Sequence, residues 1–450
     1  PMPTTLDTSA PAKDRFLSAF EMSNGQALNG KNASISSHRE AAIQRFAELG
    51  VPTNKLEAWK YTDISKIVDR EYTLPLSMNV PDVDASDLDD VLIEDLDAHR
   101  VVTVNGRVHD GLSDIGTLPD GVVVSSLADA GANHPDIVEA HYGKYADFED
   151  EAMTALNTAF VQDGLFVYVP SGTAVEKPIY AVHLTVSDAD VMIQPRHLFV
   201  VEDGGIATII EMQHTLTDAR VFTNTVREAY VGARGNLDHY IGQVESDASS
   251  QVQTTAAYHE DNSVFSTNTI TLSGEMVRNN LTITPDGEFC ESNLYGLYLG
   301  KDQMHVDNQT LVDHVHADCV SNELYKNVLN DASKGVFNGK VFVRPDSQRI
   351  NAYQSNKSIV LSNDANMYSK PELEIYADDV QCSHGATSGQ LDDEGIFYLR
   401  SRGLSEKRAR ILMLQAFAQD IVDEIRVDAL REHMTDRLRE RFASYFDRSE

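Results

Sequence analysis

Apolar positions recur at helical spacing near both ends of the chain and at short, turn-broken intervals through its middle. Near the N-terminus Ala42, Ile43, Phe46 and Leu49 share one helical face. A capping-box pattern from Ser37 to Glu40 precedes them, and Gly50 with Pro52 supplies a stop. The first 70 residues therefore read as helical. Residues 80 to 100 form an acidic connector, followed by a strand over 100 to 104 and helices near 134 to 161. From Leu165 the texture changes to short strands broken by Gly, Asn and Asp. Gly274, Gly287 and Gly300 stand 13 residues apart, and Asn280 and Asn293, each followed by leucine, keep the same interval. Connections this short cannot hold crossover helices, so the pattern predicts antiparallel hairpins or a parallel solenoid without choosing between them. Beyond Leu391 the helical period returns. Asp392 caps one helix, Gly403 ends it, and Ser405 caps a second that carries Ala409, Leu412, Met413, Ala416, Phe417, Ile421 and Ile425. A last helix, 427 to 446, carries Leu430, Met434, Leu438, Phe442 and Tyr445. The chain thus divides into 1–164, mostly helical with the acidic connector, 165–390, and a helical 391–450.

At 450 residues, 42% of them hydrophobic, the chain exceeds one ordinary core. Its 37 Lys and Arg against 70 Asp and Glu give a formal charge of -33, which repels nucleic acid and anionic membranes. The acids are scattered, as on a solvated surface suited to a high-salt cytoplasm. Three cysteines without a CxxC spacing make no disulfide framework and fit a reducing cytosol. The leading residues hold no apolar core for a secretory signal, and no run of about 20 apolar residues exists to span a bilayer. The expectation is a soluble, cytoplasmic chain with neither nucleic acid nor membrane as partner.

Candidate chemistry is concentrated between residues 371 and 403. Cys382 and His384 lie two apart, so an extended backbone would aim a thiol and an imidazole the same way. A closed zinc or iron-sulfur site takes four ligands, and two residues would have to borrow the rest, for instance from another chain. From residues alone, Gly385 and Thr387 read more simply as a tight turn into the next helix, with Cys382 buried. His314, His316 and Cys319 in DHVHADC form a second ligand candidate, with His305 close in sequence. Their plainer reading is polar positions on solenoid strands, and Cys290 reads as a small buried hydrophobe. Arg400, Arg402, Lys407, Arg408 and Arg410 make a basic patch that either offsets helix carbonyl ends or meets a partner. Trp59, beside Tyr61, reads as an aromatic anchor between a helical lobe and its neighbour. GVFNGK (335–340) lacks the spacing and hydroxyl of a phosphate loop, so no ATP site is expected; GxSxG, HExxH and an EF-hand loop are missing as well.

The segments PELEIYADDV (371–380), CSHGAT (382–387) and DDEGIFYLRSRGLS (392–405) resemble the SufB/SufD family of iron-sulfur cluster assembly proteins. EAWKYTDI (57–64), KGVFNGKVFV (334–343) and QSNKSIVLS (354–362) resemble further blocks of that family in the same order. The CSHGAT and EAWKYTD blocks are most similar to the SufD branch. This resemblance implies a mainly β fold, a right-handed parallel β-helix core with helical N-terminal and C-terminal regions. It implies a non-catalytic scaffold subunit of the cytosolic SUF complex, with ATP hydrolysis in a partner chain. A SufC-type ABC ATPase would dock on the C-terminal helices, at Arg400, Arg402, Leu404, Lys407, Arg408, Leu412 and Phe417. A SufB-like subunit would pair with the chain, or two copies would form a homodimer. A transient iron-sulfur cluster would sit at the subunit interface, where His384 matches the family's interface histidine and Cys382 matches the same motif. Two rival readings differ in what they require. A SufB-like cluster-bearing subunit calls for more motif cysteines than this chain has. A carbohydrate-active β-solenoid enzyme calls for stacked carboxylates where Asn and Gly stand.

The charge of -33 carries a first prediction. Counterions screen repulsion among the carboxylates, so the Tm should rise from low to molar KCl. A flat or falling midpoint contradicts the high-salt reading.

Overall fold

In the computed structural model of the protein, residues 4–5, 10–23, 33–75 and 82–446 are described; most of the leading segment and the first two residues of the acidic connector lie outside them. Between residues 166 and 389 the chain winds as a β-solenoid of about eight turns. From strand Arg196–Val201 onward successive strands alternate between two sheets, and each pairs in parallel with the strand one coil later, up to the last coil. In one of the two, Asn236 lies beside Val264, Val264 beside Glu291, and Glu291 beside Val320, so a coil takes 27 to 29 residues. The 13-residue interval in the sequence is therefore half a coil. Leu281, on strand Met276–Pro285 of the first sheet, and Leu294, on strand Glu291–Gly300 of the second, project into the same interior cluster. Pleating sets this alternation: Ile209, Leu237, Phe265 and Leu294 point in from the second sheet to meet Phe199, Ala229, Ala257 and Ile283 from the first.

One corner of the coil repeats a left-handed residue: Gly204 (φ 66), Arg234 (59), Asn262 (57), Phe289 (59), Asp318 (61) and Arg349 (58). A β-carbon disfavours that conformation. Stacking offsets the cost, because the amides of Gly204, Arg234 and Asn262 donate to carbonyls of the next coil's turn, those of Ala233, Asp261 and Glu288.

The outer faces of the two sheets carry the helical regions. On the first sheet, Met192, Phe222, Val252 and Met276 pack against Phe16, Phe46, Trp59 and Phe160 of the N-terminal region. Helix Ala33–Leu49 begins before Ser37, so the expected capping box lies within the helix and does not start it. Trp59 is the anchor its sequence context indicated: the Arg278 guanidinium lies 3.8 Å from its ring centroid, donates to the Ala58 carbonyl at 2.8 Å and pairs with Asp307. The strand expected at 100–104 forms as His99–Val104 and extends the second sheet beside Ile179–Thr185. Helices Leu127–Asn133, Pro135–His141 and Ala152–Phe160 cover the stretch near 134–161.

At the C-terminus the Asp392 carboxylate accepts from the amides of Glu394 and Gly395 to start helix Asp393–Ser401, and Ser405 accepts from Arg408 N to start Glu406–Val422. Leu414, Ala418 and Ile421, with Leu430, Met434 and Leu438 of helix Asp428–Ser444, bury against Val182, Met212, Ile270, Leu297 and Val328 on the outside of the second sheet. Polar bolts fix this seam. Lys326 Nζ donates to Phe417 O at 2.7 Å, Asn268 Nδ2 to Ile421 O at 2.9 Å, and Arg426 pairs with Asp238 at 3.1 Å.

A buried ion pair fixes the N-terminal region to the first sheet. Arg196 and Glu228 are fully buried at 2.7 Å, and Glu228 also accepts from the amides of Gly143, Tyr145 and Ala146. Burial works against the carboxylate, but Arg196 and the three amides outweigh it, and its pKa lies below the usual value of 4.5. A depressed folded pKa contributes stability above pH 4.5 that is lost as pH falls through the folded value. Glu228→Gln should cost about 3–5 kcal/mol at neutral pH by leaving Arg196 buried without its counter-charge. In denaturant titrations that penalty should shrink below pH 4.5; a pH-independent difference under 1 kcal/mol, well short of the expected ~3, contradicts it.

Candidate functional site

The motif CSHGAT lies on strand Val380–Gly389, the last of the second sheet, and not in a tight turn. The strand pairs with Ile350–Val360, placing Cys382 beside Ala352 and His384 beside Gln354. Among the described residues it has no neighbour on its other side, and the same holds for Asn366–Ile375 in the first sheet. The solenoid therefore ends in two open edges. Cys382 and His384 share the inward side of the pleat, as their spacing predicted. The Cys382 thiol is half-buried beside Ala352 and Val380, and burial pushes its pKa up. His384 is exposed at the open mouth. Behind it the interior turns polar: Gln354 Nε2 donates to Glu323 Oε2 at 2.8 Å, Thr310 Oγ1 donates to Glu323 Oε1 at 2.5 Å, and burial raises the Glu323 carboxyl to about 7. Around the mouth Tyr353, Tyr368, Ile375 and Tyr376 are exposed. Two donors on an open strand cannot close a four-ligand site, so the geometry suits sharing with a second chain.

The other predicted ligand group is divided. His314 is buried, with Nε2 3.0 Å from Ser321 Oγ, and stands beside Cys319. His316 lies at the surface, 2.9 Å from Asp286. His305 is elsewhere, 2.8 Å from Thr62 under the N-terminal region, where burial lowers its pKa to about 4. Cys290 is buried next to Cys319.

The C-terminal candidates line the turn between helices Asp393–Ser401 and Glu406–Val422. Phe397 is 73% exposed, Tyr398 57% and Leu412 45%, a large apolar surface beside charge. Arg400 pairs with Glu406 at 3.5 Å, and the Arg402 guanidinium lies 5.3 Å from the Tyr398 ring centroid. Lys407 and Arg408 are exposed and Leu404 half-buried. Phe417 turns inward beneath Lys326 Nζ at 4.7 Å.

Sequence reasoning missed a buried group inside the first coils. His183, His197 and Glu211 bring ligand-type atoms within 4.8 Å of one another. His239 Nε2 lies 2.6 Å from Glu211 Oε1, and Arg227 Nε donates to both carboxylate oxygens at 2.7 and 2.9 Å. The hydrogen bonds decide against a metal here. Leu165 N–H donates to His197 Nδ1 at 2.9 Å, which puts the ring proton on Nε2, the nitrogen a metal would need. Burial opposes the Glu211 charge, but Arg227 with the His183 and His239 N–H groups holds its pKa well below the usual range. The group is an ion-paired hub. Its members come from separate strands with no local motif, and the available signal was polar residues at inward positions, such as His239 between Leu237 and Ile241.

Comparison with known proteins places the chain in a family. The model described as SUF system FeS cluster assembly, SufBD core domain, matches residues 183–417, and the SufBD protein N-terminal region matches 11–181. An iron-sulfur cluster assembly SufBD family protein of Synechocystis sp. is 31% identical over 402 residues, 87% of this chain and 88% of the relative. Iron-sulfur cluster assembly protein SufD of Escherichia coli is 30% identical over 403 residues, 89% and 91% of the two chains. SufD of Bacillus subtilis is 26% identical over 440 residues, 96% and 98%. With a solenoid ending in an open edge that bears the CSHGAT strand, and with both halves of the family matched along its length, this chain belongs to the SufBD family of SUF iron-sulfur cluster assembly proteins.

Proposed function

We propose that this chain is a SufD-like, non-catalytic scaffold subunit of a cytosolic SUF complex. Its solenoid end pairs with a SufB-like subunit, and its C-terminal helices dock a SufC-type ABC ATPase that supplies the hydrolysis. The observation that carries this reading is the position of Cys382 and His384 on an edge strand that, among the described residues, is paired on one side only, at an open mouth. An edge strand offers backbone donors and acceptors to a second chain. A partner seated there would bring its own side chains within reach of the thiol and the imidazole. The iron-sulfur cluster is cargo in this account. Cys382 and His384 supply two of its donors or a proton carrier, and the partner supplies the rest. The identity of near 30% with a protein named SufD over most of both chains supports the branch.

Docking of the ATPase is supported by Phe397, Tyr398 and Leu412, exposed beside Arg400, Arg402 and Lys407. Aromatic and arginine side chains are the groups interfaces favour. Leu414 and Ala418 on the same helix are buried against the second sheet, so movement of a docked ATPase would be transmitted to the wall of the solenoid. In this reading residues 165–390 carry the assembly edge and 391–450 the dock. No helix among the described residues is long and apolar enough to cross a membrane.

His384→Ala tests the site. His384 is exposed, so the substitution should change stability by less than about 0.5 kcal/mol. It should nevertheless fail to restore cluster assembly in cells lacking the native subunit, and Cys382→Ser should have a smaller or equal effect. Full complementation by His384→Ala, or failure traced entirely to a collapsed Tm, removes this histidine from the site.

A further inference from the structure

Cys290 and Cys319 stand one coil apart in the same column of the second sheet. Each immediately precedes its strand, and the first residues of those strands, Glu291 and Val320, are register partners. Val320 N donates to Cys290 O at 2.9 Å, which locks the two positions side by side. Neighbouring parallel strands lie about 4.8 Å apart, inside the span of about 4.4–6.8 Å between α-carbons that a disulfide bridges. The two sulfurs converge on one backbone oxygen, that of Gly287, at 3.3 and 3.1 Å. Both thiols are buried, with 1% and 0% exposure. The turns that lead into them are at the surface: Phe289, next to Cys290, is 57% exposed, and His316 bonds Asp286 across the two turns at 2.9 Å.

We propose that Cys290 and Cys319 form a reversible disulfide staple between adjacent coils, made by hydrogen peroxide and undone by thiols. The two cysteines are inequivalent. The Cys290 S–H and the His314 imidazole draw the Cys319 pKa down, while contact with Cys319 and burial push Cys290 up. Cys319 is therefore the first nucleophile. Its sulfur attacks one peroxide oxygen and the O–O bond breaks. The departing hydroxide takes a proton and leaves as water, and Cys319 is left as a sulfenic acid. The Cys290 sulfur then attacks the Cys319 sulfur. The S–S bond forms, the S–O bond breaks, and the hydroxyl leaves with the Cys290 proton as a second water. Two thiols give two electrons to one peroxide, which becomes two waters. A zinc centre at this place lacks ligands: His314 Nε2 is engaged by Ser321, and no group of three ligand atoms within 4.8 Å includes these cysteines among the described residues.

Hydrogen peroxide added to the full chain should lower the thiols counted under denaturing conditions from three to one, with dithiothreitol restoring all three. A non-reduced peptide map should show Cys290 joined to Cys319. Cys382→Ser should lose both of its thiols. Cys290→Ser should trap a dimedone-reactive sulfenic acid at Cys319, and Cys319→Ser should leave Cys290 unreacted. Serine already occupies the neighbouring position of the column at Ser263, whose Oγ lies 4.0 Å from Cys290 Sγ, so both variants have a tolerated side chain. If either nonetheless fails to fold, Cys382→Ser decides the question with the pair intact. Oxidation confined to Cys382, three surviving thiols, or protection of the pair by bound zinc overturns the proposal.

Discussion

In a stack of parallel coils each backbone amide and carbonyl of a strand is satisfied by the coils on either side, and the terminal coil has only one. That arithmetic shapes the rest of this molecule. At the N-terminal end the second sheet is closed by strand His99–Val104 and the short strand Arg107–Val108, and the first sheet continues through Leu165–Val169 to Val123–Ser126. At the C-terminal end Asn366–Ile375 and Val380–Gly389 remain single-sided among the described residues. Edge strands are usually blunted by charge, proline or a covering element. Here one of them bears Cys382 and His384, and among the described residues no strand pairs with its outer edge.

Polar side chains do more of the fastening than a solenoid of leucine and valine would need. Arg196 and Glu228 bolt the loop at 143–146 to the first sheet, Arg278 clamps Trp59, and Lys326 and Asp238 hold the C-terminal helices. In the interior both carboxylate oxygens of Glu211 are paired, with Arg227, His183 and His239. Such groups add little net energy when intact and cost several kcal/mol when broken. They fix one register between sheets and helices, so the distance between the exposed surface of Phe397, Tyr398 and Leu412 and the open mouth is set by rigid parts.

The helical ends were legible because their signals are local. The capping side chains of Asp392 and Ser405 and the apolar spacing of the two long C-terminal helices are contained within a few turns. The solenoid was half legible: the 13-residue interval was real, but it joins strands in opposite sheets, and hydrogen bonds run to the strand a full coil away. No local pattern distinguishes that from a hairpin, and the family resemblance supplied the answer. Cys382 and His384 were found because both sit on one strand. The Glu211 hub was not, because His183, Glu211, His239 and His197 reach one point from four strands. DHVHADC shows the opposite failure: residues close in sequence, His314 and His316, point to the interior and the surface.

The central claim is that the strand bearing CSHGAT is an edge completed by a second chain. Hydrogen exchange of backbone amides over 380–389, measured on this protein alone and with a SufB-like partner, tests it most directly. The account predicts fast exchange in the isolated chain and strong protection of that strand and of 366–375 in the complex. Unchanged exchange at 380–389 in a verified complex would contradict it.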